Sequence, residues 1–179
     1  EAWKVAGAQK RWDLVTVNPS LVIGPGISPK GTSESFNIIR QVGDGTLKMG
    51  VPRIGIGAVD VRDLADAHVR AAFTPSAKGR YIISGHNTDL LDLARTLHST
   101  YGAKYPIPKG SMPKWLVWLV GPLATKGLTR KMVSLNVDLP WRGDNSKGKR
   151  ELGVSYRPLA ESMNDFFAQA IESGAIRSK

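Results

Sequence analysis

The chain has 179 residues, 41% of them apolar, which is enough to bury the core of one ordinary domain. It has no cysteine, so disulfides, thiolate metal sites and a cysteine nucleophile are excluded. The net charge of +10 is spread along the chain, and its clusters at 126–131 and 147–150 contain no interleaved aromatic residues and no zinc or RNP motif. We therefore predict no nucleic-acid partner, and we assign the charge to solvated surface or to general attraction of an anionic cofactor.

The first part of the chain predicts a helix and a strand. Residues 1–6 are typical of a helix, although no cap residue or proline precedes them. Residues 14–18, continued by 21–23 and ended by Gly24, form an apolar and β-branched run with little alternation. Such a run predicts a strand that is buried on both faces of a parallel sheet.

The middle of the chain alternates helices with a second strand. A helix capped by Thr32 or Ser33 precedes a glycine-rich stretch over 44–57, which predicts an irregular connection. A short helix is predicted to begin near Asp63. Residues 80–84 then predict a second strand that is buried on both faces.

The rest of the chain is predicted to be mostly helical. Thr88 caps a helix, residues 115–120 are a dense apolar run, and a last helix is predicted from Pro158 to Gly174. This order indicates an α/β protein that becomes helical toward its end. Because two buried strands require parallel neighbours that this sequence does not supply, we expect a partner segment upstream of Glu1.

Four motifs occur in order along the chain. They are VNPSLVIGPG at 17–26, VDVRDLADAH at 59–68, GRYIISG at 79–85, and the set formed by DNSK at 144–147, ELG at 151–153 and YRPLAES at 156–162. Together they resemble the strand-six motif, the following signature, the last sheet strand and the C-terminal end of extended short-chain dehydrogenases. The resemblance covers nearly the whole chain, and the most similar group is that of dihydroflavonol 4-reductase, cinnamoyl-CoA reductase and methylglyoxal reductase.

The resemblance implies a fold and a division of the chain. We expect the last strands of a Rossmann-type parallel sheet and a mostly helical C-terminal substrate domain, incomplete without the upstream segment. The expected stretches are the end of the Rossmann domain with its strand six (1–26), a substrate-domain insertion (27–58), a return to the Rossmann domain with its last strand (59–86), and the helical substrate domain (87–179).

The resemblance also implies an activity. Family members use NADP or NAD, so we expect a cytoplasmic reductase of a small aldehyde or ketone, with a homodimer as a possible assembly. The family's Tyr-x-x-x-Lys pair and its glycine-rich phosphate-binding turn are expected before Glu1, so the chain alone is predicted to hold no catalytic residue and to be inactive. A nucleotide-sugar epimerase or dehydratase of the same fold is the alternative, and a substrate domain that grips a nucleotide diphosphate would indicate it.

Short stretches of this chain match the family's Tyr-x-x-x-Lys pair or part of a glycine-rich fingerprint, but their sequence context excludes both functions. Tyr105 and Lys109 have the Tyr-x-x-x-Lys spacing, but the two prolines between them prevent the helix that would place both side chains on one face. The glycine pairs at 24–26 and 55–57 lack the third glycine of a dinucleotide fingerprint.

By resemblance, the segment that ends the first strand lies along the nicotinamide. The predicted cofactor contacts are Pro19, Ser20, Leu21 and Val22, at the carboxyl edge where open α/β sheets bind ligands. The residues predicted to line the substrate side of the cleft are Ile23, Ile27 and Phe36, together with Leu21. A plain strand-ending turn and an ordinary apolar core are the alternatives that stay open for these two sets.

Other polar residues have structural explanations. Arg62 can pair with a carboxylate and Asp63 opens a helix, so a structural role is predicted for both. The histidines, which are His68, His86 and His98, share no metal-ligand spacing. We therefore predict no metal site.

The apolar run at 115–120 has two interpretations. It is much shorter than the about 20 residues that span a bilayer, so it predicts a core or cleft-covering helix and no transmembrane segment. The third functional hypothesis is a non-enzymatic module that docks on a protein or a membrane through Trp115 and Trp118. The basic residues that support it are Lys114, Lys126, Arg130 and Lys131.

Overall fold

A computed structural model of the protein describes residues 1–28, 33–124 and 127–177. Its strands are β1 (Val15–Pro19), β2 (Leu21–Ile23), β3 (Gly55–Asp60), β4 (Gly79–Ile83) and β5 (His86–Asp89). Its helices are α1 (Ala2–Gly7), α2 (Glu34–Asp44), α3 (Val61–Phe73), α4 (Leu90–Arg95), α5 (His98–Tyr101), α6 (Lys114–Ala124), α7 (Arg130–Asn136), α8 (Ser146–Leu152) and α9 (Leu159–Glu172). The predicted cap residue Thr32 and the basic residue Lys126 lie outside the described ranges, and Ser33 occupies the N-cap position of α2.

The strands form two small sheets. β1 pairs in parallel with β4, and Val15 lies opposite Gly79. β2 pairs in parallel with β3, which pairs on its other edge with the antiparallel strand β5. The sequence therefore does supply one parallel neighbour for each predicted strand, contrary to expectation, while the second edge of β1 pairs with no strand in the described part of the chain.

The prediction that the strands are buried on both faces was wrong for β1 and for β4. β1 is half-buried or exposed along its whole length, and β4 is exposed on one face. Tyr81 and Ile83 are fully buried, whereas Arg80 and Ile82 on the opposite face are exposed. The helices that pack on this pair of strands, α3 and α8, contact each other and cover the same face. The other face therefore stays open to solvent among the described residues.

The glycine-rich connection predicted over 44–57 ends in a strand, β3, that the sequence analysis missed. A β-carbon at Gly55 would collide with the backbone nitrogen of Trp141 and the carbonyl oxygen of Leu139. At Gly57 it would collide with the indole ring of Trp141. The glycines therefore let the segment around Trp141 lie directly on β3, and this requirement comes from a distant part of the chain.

The main core lies between α2, α4, α9 and the strands β2 and β3. Its centre is aromatic: the ring of Phe167 packs against Tyr101 and Tyr105, and Phe36 meets Phe166 edge-to-face with ring centroids 4.9 Å apart. This packing fixes the position of α2 against the carboxyl end of β2, where the site lies.

The DNSK motif attaches α8 to the outer edge of β4. The Lys147 ammonium donates to the carbonyl oxygens of Lys78 and Arg80, at 2.6 and 3.2 Å, and the Asn145 amide donates to the carbonyl of Ser84. Carbonyls on a strand edge otherwise lack partners within the sheet. The motif thus stabilises the edge of β4 and has a structural explanation.

Candidate functional site

The cleft is formed where the chain passes from one sheet to the other. The Ser20 amide still donates to the carbonyl of Ile83 at 3.2 Å, and the next residue, Leu21, already pairs with Ala58 of β3. Parallel sheets that part at the carboxyl ends of their strands leave a crevice. Here the crevice opens directly at Ser20.

A cavity of about 480 Å³ lies at this crossing. It is lined by Ser20, Leu21, Val22, Ile23, Gly24, Gly26, Ser33, Glu34, Ser35, Phe36 and Val61. Its volume and its mostly apolar wall with a few hydroxyl groups are typical of small-molecule sites.

The Ser20 hydroxyl is the most informative polar atom of this wall. It is one of five buried side-chain oxygens that have no hydrogen-bond partner among the residues that the structure describes, and Ser20 is the only one of these five residues that lines the cavity. An unpaired buried polar group costs about 1–3 kcal/mol, so proteins rarely keep one without a reason. A ligand that hydrogen-bonds to this hydroxyl would remove that cost.

Most of the predicted site residues meet in the cavity. Ser20, Leu21 and Val22 of the predicted cofactor set line it, as do Ile23 and Phe36 of the predicted substrate set. Pro19 lies exposed at the end of β1, beside the wall but not in it. Ile27 was also predicted to line the cleft, but its side chain is fully exposed and lies outside the described wall.

The start of α2 also contributes to the cavity, which the sequence does not indicate. Ser33 and Ser35 line the cavity with their hydroxyl oxygens 2.9 Å apart, and Ser33 makes no side-chain cap bond to the helix. The sequence shows Ser33 only as a cap candidate, and nothing local indicates that it faces the strand crossing. The packing of α2 on α9 and β2 brings it there.

The loop after the cleft is held by the C-terminal helix. Gln169 of α9 accepts from the Gly26 amide at 2.8 Å and donates to the Gly26 carbonyl at 2.6 Å. This reciprocal pair spans 143 positions of sequence, so no local pattern predicts it. It fixes the backbone at the mouth of the cavity.

A partly buried ion pair lies beside Gly24, which lines the cavity. The Asp60 carboxylate caps α3 by accepting from the Arg62 amide at 2.8 Å and also accepts from the Arg62 guanidinium at 2.7 and 2.9 Å. Burial by itself would raise the pKa of Asp60. The hydrogen bonds that its carboxylate accepts from Arg62 and Ser162 outweigh burial and hold this pKa below its usual value. Arg62 also pairs with Asp165 of α9 at 2.9 Å.

The next carboxylate has a similar structural role. Asp63 is buried and accepts from both the backbone amide and the guanidinium of Arg157. The pair connects the start of α3 to the YRPLAES motif. Arg62 therefore pairs with carboxylates and has a structural role, as the sequence predicts, while Asp63 lies in the first turn of α3 and pairs with Arg157.

In the described part of the chain, the three histidines and the Tyr105/Lys109 pair form no second site. Each histidine contacts a backbone carbonyl: His68 that of Leu64, His86 that of Arg157, and His98 that of Pro108. Among the described residues, no three His, Cys, Asp or Glu side chains lie close enough to hold a metal ion. The stretch from Tyr105 to Lys109 contains no helix, and Tyr105 is buried in the aromatic core, which agrees with its exclusion as a catalytic pair.

A second cavity, of about 430 Å³, lies beside β5. Three of its charged groups already pair with one another, because the Arg53 guanidinium donates to Asp89 at 2.5 and 2.8 Å and to Asp92 at 3.2 Å. None of the residues predicted to bind cofactor or substrate lines it.

Comparisons with known proteins connect this geometry to a family, although no family model matches the chain. The chain is 33% identical over 178 residues to cinnamoyl-CoA reductase 1 of Arabidopsis thaliana, across 98% of this chain and 44% of that protein. Its fold matches the crystal structure of the yeast methylglyoxal/isovaleraldehyde reductase complexed with NADPH, with a TM-score of 0.66 and 25% identity, over 97% of this chain and 52% of the other. A nucleoside-diphosphate-sugar epimerase from Pseudomonas aeruginosa has a TM-score of 0.66 at 21% identity, over 91% and 49%.

These matches confirm the resemblance seen in the four motifs. The chain spans about half the length of the relatives that it matches. The likeness to the epimerase concerns the fold alone, and that fold is the Rossmann-type α/β fold that the sequence predicts. Over nearly its whole length, the chain is therefore similar in sequence and in fold to members of the extended short-chain dehydrogenase/reductase family.

Proposed function

We propose that this chain is part of a cytoplasmic NAD(P)H-dependent reductase of aldehydes or ketones, and that it supplies one wall of the nicotinamide site and of the substrate cleft. The relatives support a reductase, since one is a cinnamoyl-CoA reductase and another is a methylglyoxal/isovaleraldehyde reductase complexed with NADPH. The observation that carries the proposal is the buried, unpartnered Ser20 hydroxyl in the wall of a cavity at the carboxyl edge of parallel strands.

The residues of the cavity fit a nicotinamide cofactor. Ser20 offers a hydroxyl that can pair with a polar group of the cofactor, while Leu21 and Val22 present an apolar surface to a flat ring. The cofactor supplies the hydride when it is bound. Ile23 and Phe36, farther along the same wall, would then exclude water and position an apolar carbonyl substrate.

The proposal includes a second segment that completes the sheet and brings the proton donor. The free edge of β1 and the exposed face of β4 are where such a segment would pack. In this arrangement residues 1–26 and 59–86 belong to the Rossmann part, and residues 27–58 and 87–179 to the substrate part. The Tyr-x-x-x-Lys pair implied by the family would lie on the second segment.

The alternative of a nucleotide-sugar epimerase has less support from the cavity. A nucleotide diphosphate requires cationic partners, and the described part of the wall carries one charged side chain, the carboxylate of Glu34. The wall is otherwise built from apolar residues, glycine and serine. These groups favour a small carbonyl compound.

The experiment that tests the function is a substrate panel with the protein extended to include its upstream segment. NADPH and NADH consumption is followed with aldehydes and ketones, and nucleotide sugars are analysed for epimerised products. We expect coenzyme oxidation that depends on the carbonyl compound. Epimerisation of a nucleotide sugar without net coenzyme consumption would refute the proposal.

A further inference from the structure

Helix α6 exposes an apolar surface. Its sequence from Trp115 to Ala124 contains no charged residue, and its buried side consists of Val117 and Gly121. The residues on the opposite arc are large and exposed: Trp115 (67%), Trp118 (41%), Leu119 (50%) and Leu123 (89%). A helix that is apolar on all sides is normally covered by protein or lipid.

Helix α7 extends this surface. It packs on α6 through a small cluster that contains Val117, Val133 and Val137. Its other side exposes Met132 (49%) and Leu135 (60%). We call the exposed apolar residues of α6 and α7 the hairpin surface; they are Trp115, Trp118, Leu119, Leu123, Met132 and Leu135.

The hairpin surface lies in the most basic part of the chain. Between residues 104 and 143 the sequence has seven Lys or Arg residues and a single acidic residue, Asp138, so this stretch carries +6 of the net +10. Arg130 stacks on the ring of Trp118, with its guanidinium carbon 4.6 Å from the ring centroid. A positive charge therefore lies directly beside the exposed indole.

The upstream segment proposed above and a second copy of the chain fit this surface less well. The segment is placed at β1 and β4, whereas α6 and α7 pack on a separate cluster that shares no residue with the one beneath those strands. A second copy of the chain would bring two stretches of +6 together, which costs repulsion at low ionic strength. A membrane-spanning role is excluded for α6, because 11 residues extend about 16 Å and a bilayer core is about 30 Å thick. No helix within the described ranges is long and apolar enough to cross a membrane.

We propose that the hairpin surface docks on the surface of an anionic lipid bilayer. Exposed Trp and Leu side chains insert at the level of the headgroups, and the neighbouring Lys and Arg residues contact anionic headgroups. Apolar insertion and electrostatic attraction both match the composition of this surface. The protein would thereby work at a membrane without spanning it, independently of the reaction that its cleft performs.

The test is vesicle co-sedimentation of the full chain at low salt. Vesicles of phosphatidylcholine mixed with phosphatidylglycerol are compared with vesicles of phosphatidylcholine alone. We expect binding to the mixed vesicles that is at least about tenfold tighter and that decreases with added salt. Trp115→Ala should weaken binding by about tenfold or more, and Lys131→Gln by about fivefold.

The matched control is Phe73→Ala, since Phe73 is 82% exposed on α3, outside the hairpin surface. This variant should bind like the wild type, and circular dichroism should show that all variants are folded. Equal binding of Trp115→Ala and wild type would overturn the proposal. So would equal binding to both kinds of vesicle, or a low-salt oligomer that Trp115→Ala dissociates, which would assign the surface to a second copy.

Discussion

The Ser20 hydroxyl lies buried in the cavity wall without a partner in the described chain. Substitutions of Ser20 can therefore distinguish an effect on cofactor binding from an effect on the stability of the fold. In the protein extended by its upstream segment, Ser20→Phe should fill the space that a flat ring needs. Overpacking a tight site costs about 1–3 kcal/mol, so the dissociation constant for NADPH should rise about tenfold or more. Fluorescence titration measures this effect, and a thermal melt of the same variant should change little.

Ser20→Ala is the control for this prediction. It removes an unpaired hydroxyl without adding volume, so it should leave the melting temperature unchanged or slightly higher. A large drop in melting temperature of Ser20→Phe with unchanged NADPH affinity would indicate a structural turn instead of a cofactor site.

Asp60 predicts a specific dependence of stability on pH. Its pKa is lowered in the folded state, so its ion pair contributes stability above the unfolded pKa, near 3.9, which is lost as pH falls through the folded pKa. Asp60→Asn should therefore lower the free energy of unfolding by about 1–3 kcal/mol at neutral pH. It should also remove part of the loss of stability below about pH 4.

Urea unfolding at a series of pH values measures this prediction, and the exposed carboxylate of Asp13 offers a control in Asp13→Asn. The control should keep the acid-dependent loss. If Asp60→Asn and wild type lose stability in parallel below pH 4, the ion pair with Arg62 does not have the role assigned to it.

At the scale of elements, β3 depends on its contact with the segment around Trp141. A side chain at Gly55 would meet the backbone of Trp141 and Leu139, which has little freedom to move. Gly55→Ala should therefore destabilise the chain by about 1–3 kcal/mol. Gly110→Ala, at a position where nothing lies within 4 Å of an added β-carbon, should change the melting temperature far less. Equal effects of the two substitutions would contradict the packing described for β3.

The sequence predicted the elements whose signals are local. The helical spacing of Phe36, Ile39 and Val42 predicts α2, and the β-branched run after Leu14 predicts β1. It missed β3 because glycines disfavour strands unless another segment must approach them closely. It missed β5 because its residues, HNTD, are short and polar and owe their conformation to pairing with β3.

For the candidate site, too, the sequence indicates the residues whose signals are local. Residues 20–23 are consecutive and carry a family motif, so the sequence locates them, and the structure brings Phe36 to the same cavity. Ser33 and Gln169 reach the site only through the packing of α2 and α9. Ile27 is exposed and does not line the described part of the cavity, and an apolar residue after a glycine turn shows no sign of which way it faces.

At the scale of the whole molecule, the chain presents an incomplete surface. The second edge of β1 pairs with no described strand, and Val69, Phe73 and Ile82 are exposed around the same small sheet. These features and the match to about half of each relative support the proposal that a second segment completes the cofactor site. The position of the catalytic Tyr-x-x-x-Lys pair on that segment stays a prediction.

The most direct test of this account is hydride transfer from NADPH deuterated at the transferred position, measured for the isolated chain and for the protein extended by its upstream segment. With a panel of aldehydes and ketones, the extended protein should form an alcohol with deuterium on the former carbonyl carbon. The isolated chain should form none, because general acid–base catalysis alone accounts for about 10²–10⁴-fold in rate and most cofactor contacts would also be missing. Two results would contradict the assignment of this chain as one wall of a shared reductase site. One is formation of deuterated alcohol by the isolated chain, with an activity that stays with the chain through successive chromatographic steps. The other is that the extended protein forms no deuterated alcohol.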